Sequence, residues 1–293
     1  MTQTSTVDAH QHFWDPARAD YPWMTDDLAA IRRRFGPEDL RPLLAERGVD
    51  CTVLVQTRSS LEETREFLDT AARTDFVAGV VGWVDLTDPA VGRALRGLRS
   101  SAGGAKLVAI RHQVHDEPDP GWLLRDDVRR GLRAVGDAGL AYDFLVRPRE
   151  LPAAVQIAED FPNTRFIIDH IAKPPIRGGD DRAWARAMAR AGGLGNIYCK
   201  LSGMITEADW TSWQPDTLVP YVRRVVEWFG VDRLIFGSDW PVCLLAGSYA
   251  QVVDALLYCV RDLPAEDKAK IFGANAISCY GLGGSGPTIR ARV

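Results

Sequence analysis

The feature that most constrains the fold of this chain is an eightfold alternation of short β-branched runs with longer amphipathic stretches. Apolar residues in period two, or in a continuous run between turn residues, mark strands. Recurrence at i, i+3 and i+4 marks helices. Strands are expected at Val7–His12, Cys51–Gln56, Val77–Leu86, Leu107–Val114, Leu140–Val146, Phe166–Ile171, Asn196–Leu201 and Arg233–Phe236. Helices are expected at Glu38–Arg47, Ser60–Arg73, Pro89–Ser100, Arg125–Ala138, Pro148–Asp160, Asp181–Ala191 and Asp216–Phe229, with Tyr249–Asp262 and Pro264–Tyr280 closing the chain. Ser60, followed three residues later by Glu63, has the form of a capping box. Cys51–Gln56 is apolar at nearly every position, as a strand covered on both faces should be. Eight strands, each followed by a helix, in 293 residues specify an α/β chain of the (β/α)8 TIM-barrel type. A doubly wound sheet would show a Gly-rich phosphate turn after an early strand, and none is present. One domain over 1–280 is expected, without repeat or linker, followed by a flexible Gly-rich tail over 281–293.

Functional groups of such barrels collect at the carboxyl ends of the strands. The first strand brings His10 and His12 within Val7-Asp8-Ala9-His10-Gln11-His12-Phe13-Trp14. Alternate residues of a strand share a face, which sets the two imidazoles about 7 Å apart on one side. The fourth strand brings Arg111, His112 and, just beyond, His115. The sixth brings Asp169 and His170, the seventh Lys200, and the eighth Asp239. All five histidines of the chain stand at or just past an expected strand end, and none lies on an expected helix. A purely structural scatter would leave some of them on helices.

His10, His12, His170 and Asp239 form a set with metal-ligand chemistry. Neutral imidazoles and a carboxylate suit zinc, manganese or iron, and catalytic zinc commonly takes three protein ligands and keeps a position for water. Asp239 can instead, or also, serve as general base on that water; the competing role is a turn or N-cap residue before Pro241. Arg111 and Lys200 are strand-end cations between apolar neighbours. Pointing into the mouth, they can bind a carboxylate or a developing oxyanion. The competing role is an ion pair with Asp8, Asp143 or Asp169 that holds the barrel together. Of the neighbours Arg111 and His112, Arg111 is expected inward; His115 can reach the mouth from its loop.

Charge excludes some partners. The net charge is −4, there is no lysine-rich run, and the arginine groups at 32–34, 129–130 and 223–224 lie on helical patterns beside acids. No nucleic-acid surface is expected. Met1–Thr6 lacks the charged-then-apolar pattern of an export signal, and no run approaches the roughly 18 apolar residues of a membrane span. A cytoplasmic protein without a membrane partner is expected. The five cysteines are odd in number and lack a Cys-x-x-Cys spacing, which reads as free buried thiols.

At Val7–Trp14, Ile168-Asp169-His170-Ile171-Ala172-Lys173-Pro174, Cys199-Lys200-Leu201-Ser202-Gly203, Phe236-Gly237-Ser238-Asp239-Trp240-Pro241 and Phe272-Gly273-Ala274-Asn275-Ala276, the chain resembles the amidohydrolase superfamily, in the branch called amidohydrolase 2. The resemblance runs from about Val7 to Tyr280. It implies a (β/α)8 hydrolase. The Gln-His-Phe-Trp start and the Cys-Lys-Leu-Ser-Gly segment are similar to hydrolases of sugar lactones, such as L-fucono- and L-rhamnono-lactone, and of aromatic-pathway muconolactones and pyrones. Carried onto this chain, His10, His12, His170 and Asp239 match ligand or proton-transfer positions. Arg111 and Lys200 match positions that bind the lactone or its acidic groups. Binuclear members carry a bridging Lys or Glu on strand four and a His on strand five; here those segments read Ile110-Arg111-His112 and Tyr142-Asp143-Phe144-Leu145-Val146. That implies a single divalent metal, of the zinc class, or none. The expected activity is lactone hydrolysis to the hydroxy acid, with Asp239, His170 and Lys200 as catalytic groups, and a metal-dependent decarboxylase as the alternative. Nine tryptophans include Trp14 and Trp240 near the mouth. Their flat faces suit a sugar ring, with core packing as the competing role, so Trp14, Trp240, Arg111 and His115 are the expected substrate contacts. The partner is then a small-molecule lactone, and the protein a monomer or small homo-oligomer.

Overall fold

The computed structural model describes residues 5–283. Eight parallel strands follow one another around a single sheet: β1 Val7–Gln11, β2 Cys51–Val55, β3 Val77–Gly82, β4 Leu107–His112, β5 Ala141–Phe144, β6 Phe166–Ile168, β7 Ile197–Leu201 and β8 Leu234–Phe236. The ends meet where Gln11 bridges Trp240, with His12 N–H donating to Trp240 O at 2.7 Å and Asp239 N–H to His10 O at 2.8 Å. Helices α1 Pro37–Arg47, α2 Leu61–Arg73, α3 Val91–Arg99, α4 Asp126–Asp137, α5 Leu151–Asp160, α6 Arg182–Gly192, α7 Pro215–Phe229 and α8 Tyr249–Cys259 follow the successive strands, as in a (β/α)8 barrel. No helix among the described residues is long and apolar enough to cross a membrane. All five cysteines are buried and unpaired. Most of the expected tail, from 284 onward, lies outside the described residues.

Some expected boundaries shift. The third strand stops at Gly82 rather than running to Leu86. Thr64 Oγ1 on α2 accepts from Trp83 N at 2.8 Å and donates to Trp83 O at 2.9 Å, which takes both backbone groups of Trp83 out of the ladder. Gly82 permits that approach, since a Cβ there would stand 2.4 Å from Thr64 Cγ2. The last expected helix is interrupted: α9 Ala265–Ala269 passes through a π turn, Lys270–Ala274, into α10 Asn275–Tyr280. After the π turn, Asn275 Nδ2 reaches Val231 O and Leu234 O, both at 2.7 Å.

The core has two compartments. Outward strand residues such as Leu54, Phe144 and Phe236 pack on the helices. The interior holds smaller side chains, among them Ala9, Val53, Val55, Ala109, Ala141 and Ile235. Ala276, Cys279 and Tyr280 of α10 join this inner cluster.

Asp8, fully buried, fastens the barrel seam. Its carboxylate accepts from Ser238 N at 2.8 Å and from Tyr249 Oη at 3.2 Å. Burial pushes its pKa up to about 6, against the lowering effect of Ser238. The folded chain therefore binds this proton more tightly than the unfolded chain, so its contribution grows as pH falls through 6 and levels off below the unfolded value of 3.8. Wild type is expected to gain about 2 kcal/mol over Asp8→Asn between pH 7 and pH 4.5. Paired urea titrations measure this difference; an identical gap at both pH values contradicts it.

Candidate active site

A β-bulge prepares the first wall of the site. Asp8 aligns with Thr52 and Gln11 with Leu54, so β1 carries one extra residue against β2. Such a bulge re-aims side chains. Ala9 packs into the interior, and His10 beside it also turns inward, to within 3.3 Å of Lys200 Nζ. Gln11 turns outward, bonding Thr52 Oγ1 at 3.1 Å, and His12 turns back to the mouth. Gly237 on the neighbouring chain end leaves room for this path, because a Cβ there would lie 2.6 Å from His10 Cβ.

The second wall follows β6. The strand ends at Ile168, three residues before the expected limit. Four successive residues, His170, Ile171, Ala172 and Lys173, then adopt left-handed φ values of 54, 46, 57 and 49°. Each non-glycine residue in that region costs about 1–2 kcal/mol. The turn persists because its surroundings fix it: Trp184 Nε1–H donates to Ile171 O at 2.7 Å, and Lys173 N–H to His170 O at 2.8 Å. It directs His170 toward Asp239, which also stands in a left-handed conformation, φ 57°.

Asp239 Oδ1 is the hub. It lies 3.3 Å from His12 Nε2, 3.7 Å from His10 Nε2 and 3.8 Å from His170 Nε2. All four residues are at least 96 % buried. His12 Nδ1 lies 2.8 Å from Val55 O, so it must donate, which leaves Nε2 as a lone pair facing Asp239. His170 Nδ1 is 2.9 Å from Ser202 Oγ, and its Nε2 likewise faces Asp239. Burial lowers the His170 pKa to about 4, against the opposing pull of Asp239. Burial also holds His10 well below its ordinary value. For Asp239, burial favours the neutral acid, but the surrounding imidazoles outweigh it and hold the carboxyl well below the usual carboxylate range. His10 and His170 as neutral imidazoles beside an ionised carboxylate supply a donor set for one divalent cation. His10, His170 and Asp239 have ligand atoms within 4.8 Å of one another; His12 stands outside that group but against the same carboxylate. The residues therefore fit a single metal ion.

The cations lie elsewhere than expected. Lys200 is fully buried, with Nζ 2.6 Å from Asp143 Oδ2 and 2.9 Å from Asp169 Oδ1. Arg111 donates to Asp169 Oδ2 at 2.9 Å, to Gln56 O, and to His10 Nε2 at 3.1 Å. Lys200 Nζ and both terminal nitrogens of Arg111 are engaged by buried protein groups, while Arg111 Nε is buried without a partner. This corrects their expected roles toward substrate; the ion pairs that hold the barrel together are what is found. Trp14 and Trp240 are corrected similarly. Trp14 is buried among Tyr21, Trp23 and Phe35 and donates to Ile31 O at 3.1 Å. Trp240 is 1 % exposed and packs on Phe13 and Phe35. Their rings back the site wall and offer no free face.

Of the two histidines near β4, His112 stacks on Trp122 at 4.3 Å between ring centroids and bonds Glu117 at 2.8 Å. His115 lies 3.3 Å by Nε2 from Asp116 Oδ1 and buries Nδ1 without a partner; burial and then the charge of Lys173 and Arg147 lower its pKa to about 2, with Arg111 and His170 acting in the same direction. Lys173 pairs with Glu207 at 2.7 Å. Sequence reasoning passed over Ser202, Lys173 and Glu207. It had a signal for Asp143 and Asp169, since two inward cations flanked by apolar residues require buried counter-ions.

The chain belongs to the amidohydrolase family, whose family model matches residues 7–282. It is 45% identical over 285 residues to an L-fucono-1,5-lactonase of Burkholderia ambifaria, covering 94% of this chain and 96% of the relative. It is 34% identical over 287 residues to an L-fucono-1,5-lactonase of Burkholderia multivorans, with 94% and 96% covered. Among solved structures it resembles an amidohydrolase from Burkholderia multivorans with bound zinc, at TM-score 0.90 and 32% identity, covering 95% of this chain and 99% of that one.

Proposed function

We infer that this enzyme hydrolyses a sugar lactone of the L-fucono-1,5-lactone kind to the hydroxy acid. The observation that carries the reading is the Asp239 carboxylate, ringed by three inward Nε2 atoms at the barrel mouth, in a chain 45% identical to an L-fucono-1,5-lactonase. Ionised Asp239 takes a proton from the attacking water as the tetrahedral adduct forms, and returns it to the ring oxygen as the ester bond breaks. His12, fixed by Val55 O, sets its Nε2 beside the same carboxylate oxygen at 3.3 Å. His170, fixed by Ser202, stays neutral at the working pH and can act as a lone-pair donor. His115, Lys173 and Glu207 are the side chains we assign to the sugar hydroxyls, since they combine donors and an acceptor beside the mouth. His10, His12, His170 and Asp239 would hold zinc, which supplies a Lewis acid for the carbonyl and a water of lowered pKa. The decarboxylase reading has no comparable support, because the two relatives more than 30% identical to this chain are both named L-fucono-1,5-lactonase.

The test is a pH-indicator assay over aldono-lactones, with and without a chelator. Acid release from L-fucono-1,5-lactone well above background is expected, lost on chelation and restored by zinc. No release from any lactone overturns the reading; chelator-insensitive release removes only its metal part.

A further inference from the structure

Thr57 continues the inward row of β2 toward the mouth. Val53 and Val55 belong to the inner cluster, and Gln56 N–H still pairs with Val81 O at 2.8 Å beyond the end of the strand. Alternation then sets Thr57 on the same side as Val55, one step farther along. Val55 is the residue whose carbonyl holds His12. Thr57 itself is pinned by α2: the buried Glu63 carboxylate accepts from Thr57 N–H at 2.8 Å, from Thr57 Oγ1 and from Arg58 N–H at 3.0 Å. The Thr57 carbonyl collects two side chains. Trp23 Nε1–H, from the connector between β1 and α1, donates to it at 3.0 Å, and Gln113 Nε2, just past β4, at 3.4 Å.

Trp23 differs from Trp14 and Trp240. Those two are buried, whereas Trp23 is partly exposed. Its ring stands edge-on to Trp14, with centroids 5.3 Å apart, and Trp14 in turn lies along His12 at 6.2 Å. The one polar atom of the indole is committed to Thr57 O, so what Trp23 leaves uncovered is apolar. The other side chains assigned to the mouth, His115, Lys173 and Glu207, are polar. L-Fucono-1,5-lactone carries hydroxyls and one methyl group, and it differs from L-galactono-1,5-lactone only in bearing that methyl in place of a hydroxymethyl. We propose that Trp23 is a specificity-determining residue: its fixed indole receives the methyl end of the lactone and selects a 6-deoxy lactone over its 6-hydroxy counterpart. A hydroxyl placed there finds no partner, because Trp23 Nε1–H is spent and Thr57 O already serves two donors. An unpaired polar group that has lost its water is costly.

The proposal rests on the lactonase reading for its substrate. The test compares kcat/KM for L-fucono- and L-galactono-1,5-lactone in wild type, Trp23→Ala and Trp23→Phe. Wild type is expected to prefer the methyl-bearing lactone by about tenfold or more. Trp23→Ala is expected to bring that ratio to within about threefold of unity, chiefly through a higher KM for L-fucono-1,5-lactone. Trp23→Phe keeps a ring against Trp14 but loses the bond to Thr57 O; its ratio is expected to fall between the two, and it decides the matter if the alanine variant does not fold. A role in packing alone would lower both activities equally and leave the ratio unchanged. A wild-type preference below about threefold overturns the proposal, and so does a variant ratio within about twofold of wild type. If wild type hydrolyses neither lactone, the lactonase reading falls and the proposal with it; hydrolysis with a preserved ratio overturns the proposal alone.

Discussion

Replacing Asp239 by asparagine is expected to lower kcat by about a thousandfold or more while leaving the protein folded. General-base transfer contributes typically about 10²–10⁴ in rate, and asparagine can neither accept the proton nor complete the donor set. The backbone has no reason to move. Asp239 sits at φ 57°, and asparagine is among the residues that tolerate the left-handed region best. The main-chain bond from Asp239 N–H to His10 O does not involve the side chain. Circular dichroism and the melting temperature should match wild type, because removing a buried charge at a functional site tends to be neutral or stabilising. A variant that retains kcat within tenfold would remove Asp239 from the proton transfer.

The second large effect comes from a residue with no functional group. Gly203, just past β7, has φ 59°, and a Cβ built there lies 2.5 Å from His170 Nδ1 and 2.7 Å from its Cγ. Gly203→Ala therefore has to push the imidazole aside and break its bond to Ser202. A displacement of about 1 Å can lower a rate by about 100-fold, and kcat/KM is expected to fall by at least that factor. Stability should fall by only about 1–2 kcal/mol, the strain of a non-glycine residue at that φ. A kcat/KM within threefold of wild type would show that His170 needs no fixed position.

The parts of this molecule that were legible in sequence are those governed by local pattern. Strand and helix order follows from apolar period, and the convergence of His10, His12, His170 and Asp239 follows from strand-end placement in a closed barrel. Depth along the barrel axis is a different matter. Alternation tells that Arg111 and Lys200 point inward, but not that Asp143 and Asp169 meet them below the mouth. The tryptophans fail for the same reason: Trp14 and Trp240 sit near strand ends in the sequence, yet neighbouring rings cover their faces. The left-handed run carries no local signature, since Ile171 is β-branched and disfavours that conformation. Only tertiary contacts such as Trp184 to Ile171 O override the propensity. The bond from Tyr280 Oη to Asp143 was invisible because no spacing rule links the last helix to strand five.

The seam at Asp8 has a consequence for how the protein is made. Asp8 and Ser238 are 230 residues apart in the chain, and Asp239 is bonded to His10 across the same join. Contacts of such long range close slowly and late. A nascent chain can pair its first seven strands as they emerge from the ribosome, but it holds His10 and His12 of β1 with an open edge beside them until the eighth strand arrives. The floor of the barrel waits longer still, for α10. Chaperone demand, and sensitivity to truncation during synthesis, should therefore concentrate in the interval between release of β1 and release of the final helix, an interval that spans almost the entire translation of the message.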